Sequence, residues 1–258
     1  MGVVNVTPDS FSGDGLERPD EAIAYAIEQH SRSADILDIG AQSTRPGHTP
    51  VDPAAERERL LPVVEGVRAR LCDALISVDT FDASVLRAAC DAGADILNSI
   101  WGLTDRLLET VLEREMPVII MHNQSEAIYR GDVVDEVLSS LDQSARAAVR
   151  AGIQRERIIL DPGIGFGKLP EHNLAVLRSL KRLVALGFPT LLGTSRKSTI
   201  GKLTGREPQQ RVFGTAATIA LAIAAGIDIV RVHDVAEMRD VITVSDAIER
   251  GWRPNGWT

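Results

Sequence analysis

Short apolar runs recur along the whole chain, and almost every one ends on a polar or charged residue. Val3-Val4 leads to Asn5, Ile36-Leu37 to Asp38, and Ile76-Ser77-Val78 to Asp79. Ile96-Leu97 precedes Asn98, Val118 to Met121 runs into His122, and Ile158 to Leu160 into Asp161. Leu191-Leu192-Gly193 is followed by Ser195-Arg196-Lys197, and Ile229-Val230 by Arg231 and His233. Between these runs the apolar positions recur with helical spacing, as in Leu60, Leu61, Val64 and Val67. The period predicts helices over 19–30, 53–71, 81–92, 105–113, 132–151, 173–186, 209–225 and 236–250. Gly93, Gly152, Gly187 and Gly226 stand where a helix favours a left-handed residue after its last turn.

Strands alternating with helices favour a parallel sheet. Eight βα units favour closure into a (β/α)8 TIM barrel over an open doubly wound sheet. Such a barrel keeps its site at the C-terminal ends of its strands, which is where the polar residues stand. The expectation is one α/β domain over 1–258. Met1 is already at the first strand, so the N-terminal closing segment is expected to be short or missing. That start is compatible with a domain cut from a longer multifunctional chain. The longest irregular stretches, 7–18, 41–52 and 122–131, all follow strand ends, where working loops belong.

Composition narrows the function. The chain has 258 residues, 44% of them hydrophobic, enough for one sizeable core. A net charge of −8 argues against a nucleic-acid surface. It leaves room for an anionic small ligand held by a local cluster of cations. No apolar run approaches the roughly 18 residues of a spanning helix, and no basic leader precedes the first strand. A membrane role is not expected, and the chain reads as cytoplasmic. Cys72 and Cys90 form neither a disulfide framework nor a metal-site spacing, and read as small apolar fillers.

Six segments carry candidate chemistry. Met1 to Gly15 places Asn5 at a strand tip, where a neutral amide oxygen can ligate a hard cation such as Mg²⁺. Asp38 to His48 puts Asp38 at the barrel mouth and Thr44 and Arg45 on a loop stiffened by Pro46; Arg45 can fork onto a carboxylate or phosphate. Asp79 and Asn98 close neighbouring strands, and a carboxylate beside an amide can read the donor–acceptor edge of a heterocycle. Asp161 opens the turn DPGIGFGK, whose glycines allow close backbone approach and whose Phe166 can cover a flat ring. GTSRKSTIG gathers hydroxyls with Arg196 and Lys197 beside a short helix, a good anion or carbonyl site. In RVHD, alternation puts Arg231 and His233 on one side of the last strand as an anion clamp.

Together NVTPDSFS, STRPG, SVDT, DPGIGFGK, SRKS and RVHDV, in this order and spacing, resemble the dihydropteroate synthase family of folate biosynthesis. The resemblance covers nearly the whole chain. It implies a (β/α)8 barrel, usually a homodimer. The implied reaction joins 6-hydroxymethyl-7,8-dihydropterin diphosphate to 4-aminobenzoate, releasing pyrophosphate with Mg²⁺ as cofactor. By resemblance Asn5 contacts the metal and diphosphate, and Asp79, Asn98, Asp161 and Lys197 grip the pterin. Arg231 and His233, with Thr44, hold the diphosphate. Arg45, Pro46 and Ser198 help form the 4-aminobenzoate pocket, where sulfonamides compete. Asp79, Asp161 and Lys197 carry the catalytic role.

The chain departs from the family pattern at the Ser-Gly-Asp-Gly loop, Gln42, Ser99 and Asn123. Ser99, standing where Asp is usual, is expected to remove a charge beside the pterin. The segment 231–250 is also similar to fungal multifunctional folate proteins. Three other readings compete. A pterin-binding methyltransferase domain leaves SRKS and RVHD unexplained. A Schiff-base aldolase would use Lys197 as a desolvated nucleophile. A non-catalytic pterin-binding paralogue would keep the fold without turnover.

Overall fold

The computed structural model describes residues 1–7, 15–16, 18–42 and 51–253. Eight strands carry the fold: β1 (Gly2–Asn5), β2 (Ile36–Gly40), β3 (Leu75–Asp79), β4 (Ile96–Ser99), β5 (Val118–Met121), β6 (Ile158–Asp161), β7 (Leu191–Leu192) and β8 (Ile229–Val230). Six run parallel in the order β1 to β6, and β7 pairs with β8. Two parallel bridges join these groups into a ring, Leu160 to Thr190 and Gly2 to Val232. Backbone bonds from Leu160 N to Pro189 O (2.8 Å) and from Val3 N to Val232 O (3.0 Å) reinforce them. The eight-stranded TIM barrel expected from the apolar runs is therefore present, in one domain.

Among the described residues, ten α-helices cover the outside: α1 (Pro19–Ser31), α2 (Pro53–Arg70), α3 (Ala83–Asp91), α4 (Asp105–Glu113), α5 (Val133–Ala151), α6 (Pro170–Arg178), α7 (Leu180–Val184), α8 (Ser198–Thr204), α9 (Val212–Ala225) and α10 (Val235–Glu249). Local chemistry sets several starts. The side chains of Asp52, Asp82, Thr104 and Asp132 accept from the first-turn amides of α2, α3, α4 and α5. α5 and α9 end on Gly152 (φ 114°) and Gly226 (φ 98°). The single helix expected over 173–186 begins earlier, on Pro170, and is interrupted at Ser179 (φ −109°, ψ 15°). Proline at the first helical position explains the early start, because its missing N–H would have no partner there.

The two faces of the strands differ. Outward residues such as Val4, Leu37, Ile39, Ile76, Val78, Leu97, Ile120 and Leu160 pack with the helices into the main core. Inward residues form a separate apolar layer at the lower end: Met1, Ile96, Ile119, Ile159 and Leu191, with Ile36 and Ile229 against it. Above that layer the lumen turns polar. Cys90 is half-buried, but Cys72 is exposed, so it is not the apolar filler expected. It follows the last turn of α2, outside the packed stripe of that helix.

Candidate active site

Alternation along the strands and their parallel register decide which side chains enter the lumen. Asp38 is level with Ser77, Gly40 with Asp79, Asp79 with Asn98, and Met121 with Asp161. All four polar positions among these that were singled out by sequence, Asp38, Asp79, Asn98 and Asp161, are buried near the C-terminal rim.

Asp38 is the deepest of them and the best bonded. It accepts from Ser77 Oγ (2.7 Å), from Asn98 Nδ2 (3.1 Å) and from Arg231 Nε (2.6 Å). The sequence placed Asp38 at the barrel mouth; instead it lies below the rim, as a fully buried hub. Its pairing with Arg231 is an ion pair with a fully buried carboxylate. Burial opposes the Arg231 charge, and Asp38 and Asp79 outweigh that and hold the guanidinium more firmly protonated than usual.

Asp79 lies against this pair. Burial, with Asp38 and Glu56 adding repulsion, pushes its carboxyl up to about 8 against the pull of Arg231 and Lys197. Its Oδ1 is buried with no hydrogen-bond partner among the described residues. A buried carboxyl oxygen without a partner is costly unless a ligand supplies one. Asp161 is also raised by burial, to about 6, while the Gly163 N–H (2.7 Å to Oδ1) and Lys197 pull it back.

Lys197 reaches the same space from the other side. Its Nζ stands 4.0 Å from the centre of the Phe166 ring. Burial and Arg231 lower it to about 8, with Asp161 and Asp79 opposing, so it remains mostly protonated at neutral pH. Asp161 and Lys197 thus share one rim and feel each other's charge.

The turn DPGIGFGK explains how Phe166 gets there. Gly163, Gly165 and Gly167 all have positive φ (66°, 84° and 55°). A Cβ on Gly163 would meet the His122 carbonyl oxygen at 2.0 Å, and one on Gly167 the Gln124 carbonyl oxygen at 2.4 Å. Only glycine fits this close approach. Asn173 fixes the turn from below, accepting from Gly165 N (2.8 Å) and donating to Thr199 Oγ1 (3.0 Å).

The SRKS segment divides its work. Ser195 Oγ lies 3.0 Å from His233 Nδ1 and accepts from His233 N (3.1 Å). Arg196 adopts φ 58° and forks onto Asp234 with contacts of 3.1 and 2.5 Å. Its charge is thus committed to holding β7 and β8 exits together, and only Lys197 serves the lumen. Ser198 is exposed as the first residue of α8. Asn5 closes β1, half-buried, and its carbonyl accepts from Leu16 N (2.9 Å). Thr44, Arg45 and Pro46 lie outside the described residues.

Ser99 does not sit beside the pocket residues. Alternation points it away from Asn98, and its hydroxyl donates to the Gly102 carbonyl (2.6 Å). The structure therefore removes the concern that a missing charge there weakens the lumen. Among the described residues no group of three His, Cys, Asp or Glu is poised to hold a metal. No helix among them is long and apolar enough to cross a membrane.

A family model for the pterin-binding enzymes matches residues 1–233. The dihydropteroate synthase of Bacillus subtilis is 44% identical over 251 residues, spanning 96% of this chain and 87% of that protein. The chain belongs to the dihydropteroate synthase family. Among solved structures, the Xanthomonas albilineans dihydropteroate synthase with 4-aminobenzoic acid superposes with a TM-score of 0.91. It is 44% identical and covers 98% of this chain and 93% of its own. The Yersinia pestis dihydropteroate synthase in a sulfonamide complex gives a TM-score of 0.92 at 38% identity, covering 98% and 94%. As members of this family are transferases, the chain is an enzyme of that class, and the aldolase reading of Lys197 falls away.

Sequence reasoning missed three supports. Ser77 orients Asp38, and Lys168 and Asn173 shape the glycine turn. Ser77 and Lys168 lie inside the motifs SVDT and DPGIGFGK, so their position was visible although their partners were not.

Proposed function

We propose that this rim joins 6-hydroxymethyl-7,8-dihydropterin diphosphate to 4-aminobenzoate, releasing pyrophosphate. The observation that supports it most is the convergence of two raised, buried carboxyls, Asp79 and Asp161, with two cations, Lys197 and Arg231. The pterin ring lies among Asp79, Asn98, Asp161 and Lys197, with Phe166 against the lysine. Its amidine-like edge supplies the donors that Asp79 and Asp161 need. Arg231 and His233, with Thr44, take the diphosphate. Arg231 donates from Nε to Asp38, an orientation that turns its terminal guanidinium nitrogens to the phosphate oxygens. Arg45, Pro46 and Ser198 contribute to the 4-aminobenzoate pocket, and a sulfonamide occupies the same place.

The chemistry follows from these charges. The C–O bond to the diphosphate breaks, its electron pair leaves with the pyrophosphate, and positive charge spreads over the dihydropterin. Asp161 and the ionised form of Asp79 stabilise that charge, while Arg231 and His233 stabilise the departing anion. The arylamine then needs positioning more than activation, and loses its extra proton after the C–N bond forms.

Magnesium fits only as a partner of the diphosphate. Asn5 offers one neutral oxygen, and a hard cation bound this way takes its remaining oxygens from phosphate and water. When bound, the ion neutralises diphosphate charge. The enzyme is proposed to work as a cytoplasmic homodimer. Leu203, Phe213, Leu221, Val244 and Ile248 are exposed on α8, α9 and α10, and they supply apolar surface for a second copy.

The deciding assay supplies the pterin diphosphate, 4-aminobenzoate and Mg²⁺. Pyrophosphate release that requires 4-aminobenzoate and stops with a sulfonamide is expected. Binding of the pterin diphosphate without release would overturn the reading in favour of a non-catalytic paralogue. Sedimentation equilibrium, with Phe213→Glu expected to give a monomer, tests the dimer.

A further inference from the structure

A second half-buried lysine stands beside the pterin subsite, and the proposed chemistry does not use it. Lys168 Nζ lies 2.9 Å from His122 Nδ1, 3.0 Å from the Gly163 carbonyl oxygen and 3.1 Å from that of Phe166. The His122 carbonyl oxygen is a fourth acceptor at 3.4 Å. An ammonium has three donors and no acceptor. Here they are spread over the exit of β5 and both halves of the glycine turn after β6. Among the described residues none of its hydrogen-bond partners is a carboxylate, so carbonyl dipoles and one imidazole hold it.

The surroundings explain this arrangement. Burial, with Lys168 alongside, pushes His122 down to about 4, so its ring is neutral and Nδ1 accepts. Burial lowers Lys168 itself to about 7, with Asp161 drawing it up and Lys197 pressing it down. Tyr129 OH donates to the Gly167 carbonyl (2.8 Å), and the Gln124 amide reaches the same oxygen (3.4 Å). The Gly163, Phe166 and Gly167 carbonyls of the turn are therefore tied, the first two by Lys168. The Phe166 ring in turn underlies the Lys197 ammonium at 4.0 Å.

We infer that Lys168 is a positioning residue for the pterin subsite: by holding the Gly163 and Phe166 carbonyls to the exit of β5, it fixes the Phe166 ring and with it the height of Lys197. This rests on the assignment of the pterin to this rim. Lys168 acts through the main chain and touches no substrate.

The test compares wild type, Lys168→Met and Lys168→Gln, with binding of the pterin diphosphate measured by calorimetry and KM for both substrates by pyrophosphate release. Lys168→Met keeps the length and removes every donor; Lys168→Gln restores two. Expected results are a rise of about tenfold in Kd for the pterin diphosphate with Met, a smaller rise with Gln, and a change under about twofold in KM for 4-aminobenzoate. A double-mutant cycle with Phe166→Leu should be non-additive, because Lys168 works through that ring. Should Lys168→Met fail to fold, the Gln variant and its cycle decide alone. Pterin binding within twofold of wild type, equal losses for both substrates, or strict additivity with Phe166→Leu would each overturn the inference while the function stands. A wild type that does not bind the pterin diphosphate would overturn the functional reading, and this inference with it.

Discussion

The lumen of the barrel has two halves built from the same strands. Below, Met1, Ile96, Ile119, Ile159 and Leu191 close on one another as an apolar plug. Above, Asp38, Ser77, Asp79, Asn98 and Asp161 face inward, with Arg231 tied to Asp38. Two residues along a strand are enough to pass from one regime to the other, as from Ile96 to Asn98 or from Ile159 to Asp161. The lower half satisfies itself, and its stability needs no ligand. The upper half keeps an oxygen on Asp79 that has no partner among the described residues, and carboxyls raised by burial, so it is built to be completed by something that enters.

If that division is right, the two halves respond differently to substitution. Truncation in the upper half should produce the largest effect. Arg231→Ala or Lys197→Ala is expected to lower kcat/KM for the pterin diphosphate by about 10²–10³ through lost charge stabilisation. Thermal unfolding should remain cooperative in both. Full activity in either variant would break the assignment of charge separation to this rim. In the lower half the order reverses. Ile119→Ala should cost about 2–5 kcal/mol of stability, read by urea unfolding, and leave kcat/KM of the folded protein unchanged.

Acid–base behaviour sharpens the contrast: in the plug the buried Met1 ammonium, lowered to about 6, donates to the Val230 carbonyl, whereas the titrating groups of the upper half face the substrate. Asp161, raised to about 6, loses its negative charge as pH falls through that value, and Lys197, lowered to about 8, loses its positive charge above it. The kcat/KM profile for the pterin diphosphate is expected to fall below about 6 with Asp161 and above about 8 with Lys197, less steeply on the alkaline side because Asp79, raised to about 8, gains its charge there. A flat profile from pH 5 to 9 would contradict it.

Glu56 provides a smaller test at the edge of the site. It is buried at the start of α2, accepts from Gln42 Nε2 (3.1 Å), and burial raises it to about 7 against the Thr80 hydroxyl. A carboxyl raised in the folded state contributes stability below its unfolded value near 4.5, and that contribution is lost as pH rises through about 7. Glu56→Gln removes the titration. Urea unfolding at pH 5 and pH 8 should show a smaller pH dependence than wild type, with a gain of about 1–2 kcal/mol at pH 8. The smallest of the pH effects is expected for Phe166→Leu. Loss of the ring under Lys197 removes about 0.5–1 kcal/mol of preference for the charged form. The alkaline limb of the activity profile should shift a few tenths of a pH unit downward.

The fold was legible because the strand runs and the helical periods alternate without interruption, and because each run stops on a residue that a buried strand interior would exclude. The inward members Asp79, Asn98, Asp161, Lys197, Arg231 and His233 could be named from their positions at those stops. What the chain order hides is pairing across it. Asp38 and Arg231 are 193 positions apart and meet only after the barrel closes. Arg196 looked like a second cation for the site, and its left-handed backbone and fork onto Asp234 turn it into a tie between β7 and β8. Ser99 looked like a defect beside the pterin, and strand alternation sends its hydroxyl to Gly102 instead. The split at Ser179 leaves no mark in hydrophobic spacing, because Val176 and Leu180 keep the helical period across it.

One wall of the cleft, from Gly163 to Gly167, is made largely of main chain packed so closely that a Cβ on Gly163 or Gly167 would overlap a neighbouring carbonyl oxygen. A surface of that kind offers inheritance very little to edit. Replacing a glycine there collapses the scaffold rather than recontouring it, so an inhibitor that leans on this stretch presses on the part of the cleft where escape by point substitution is hardest.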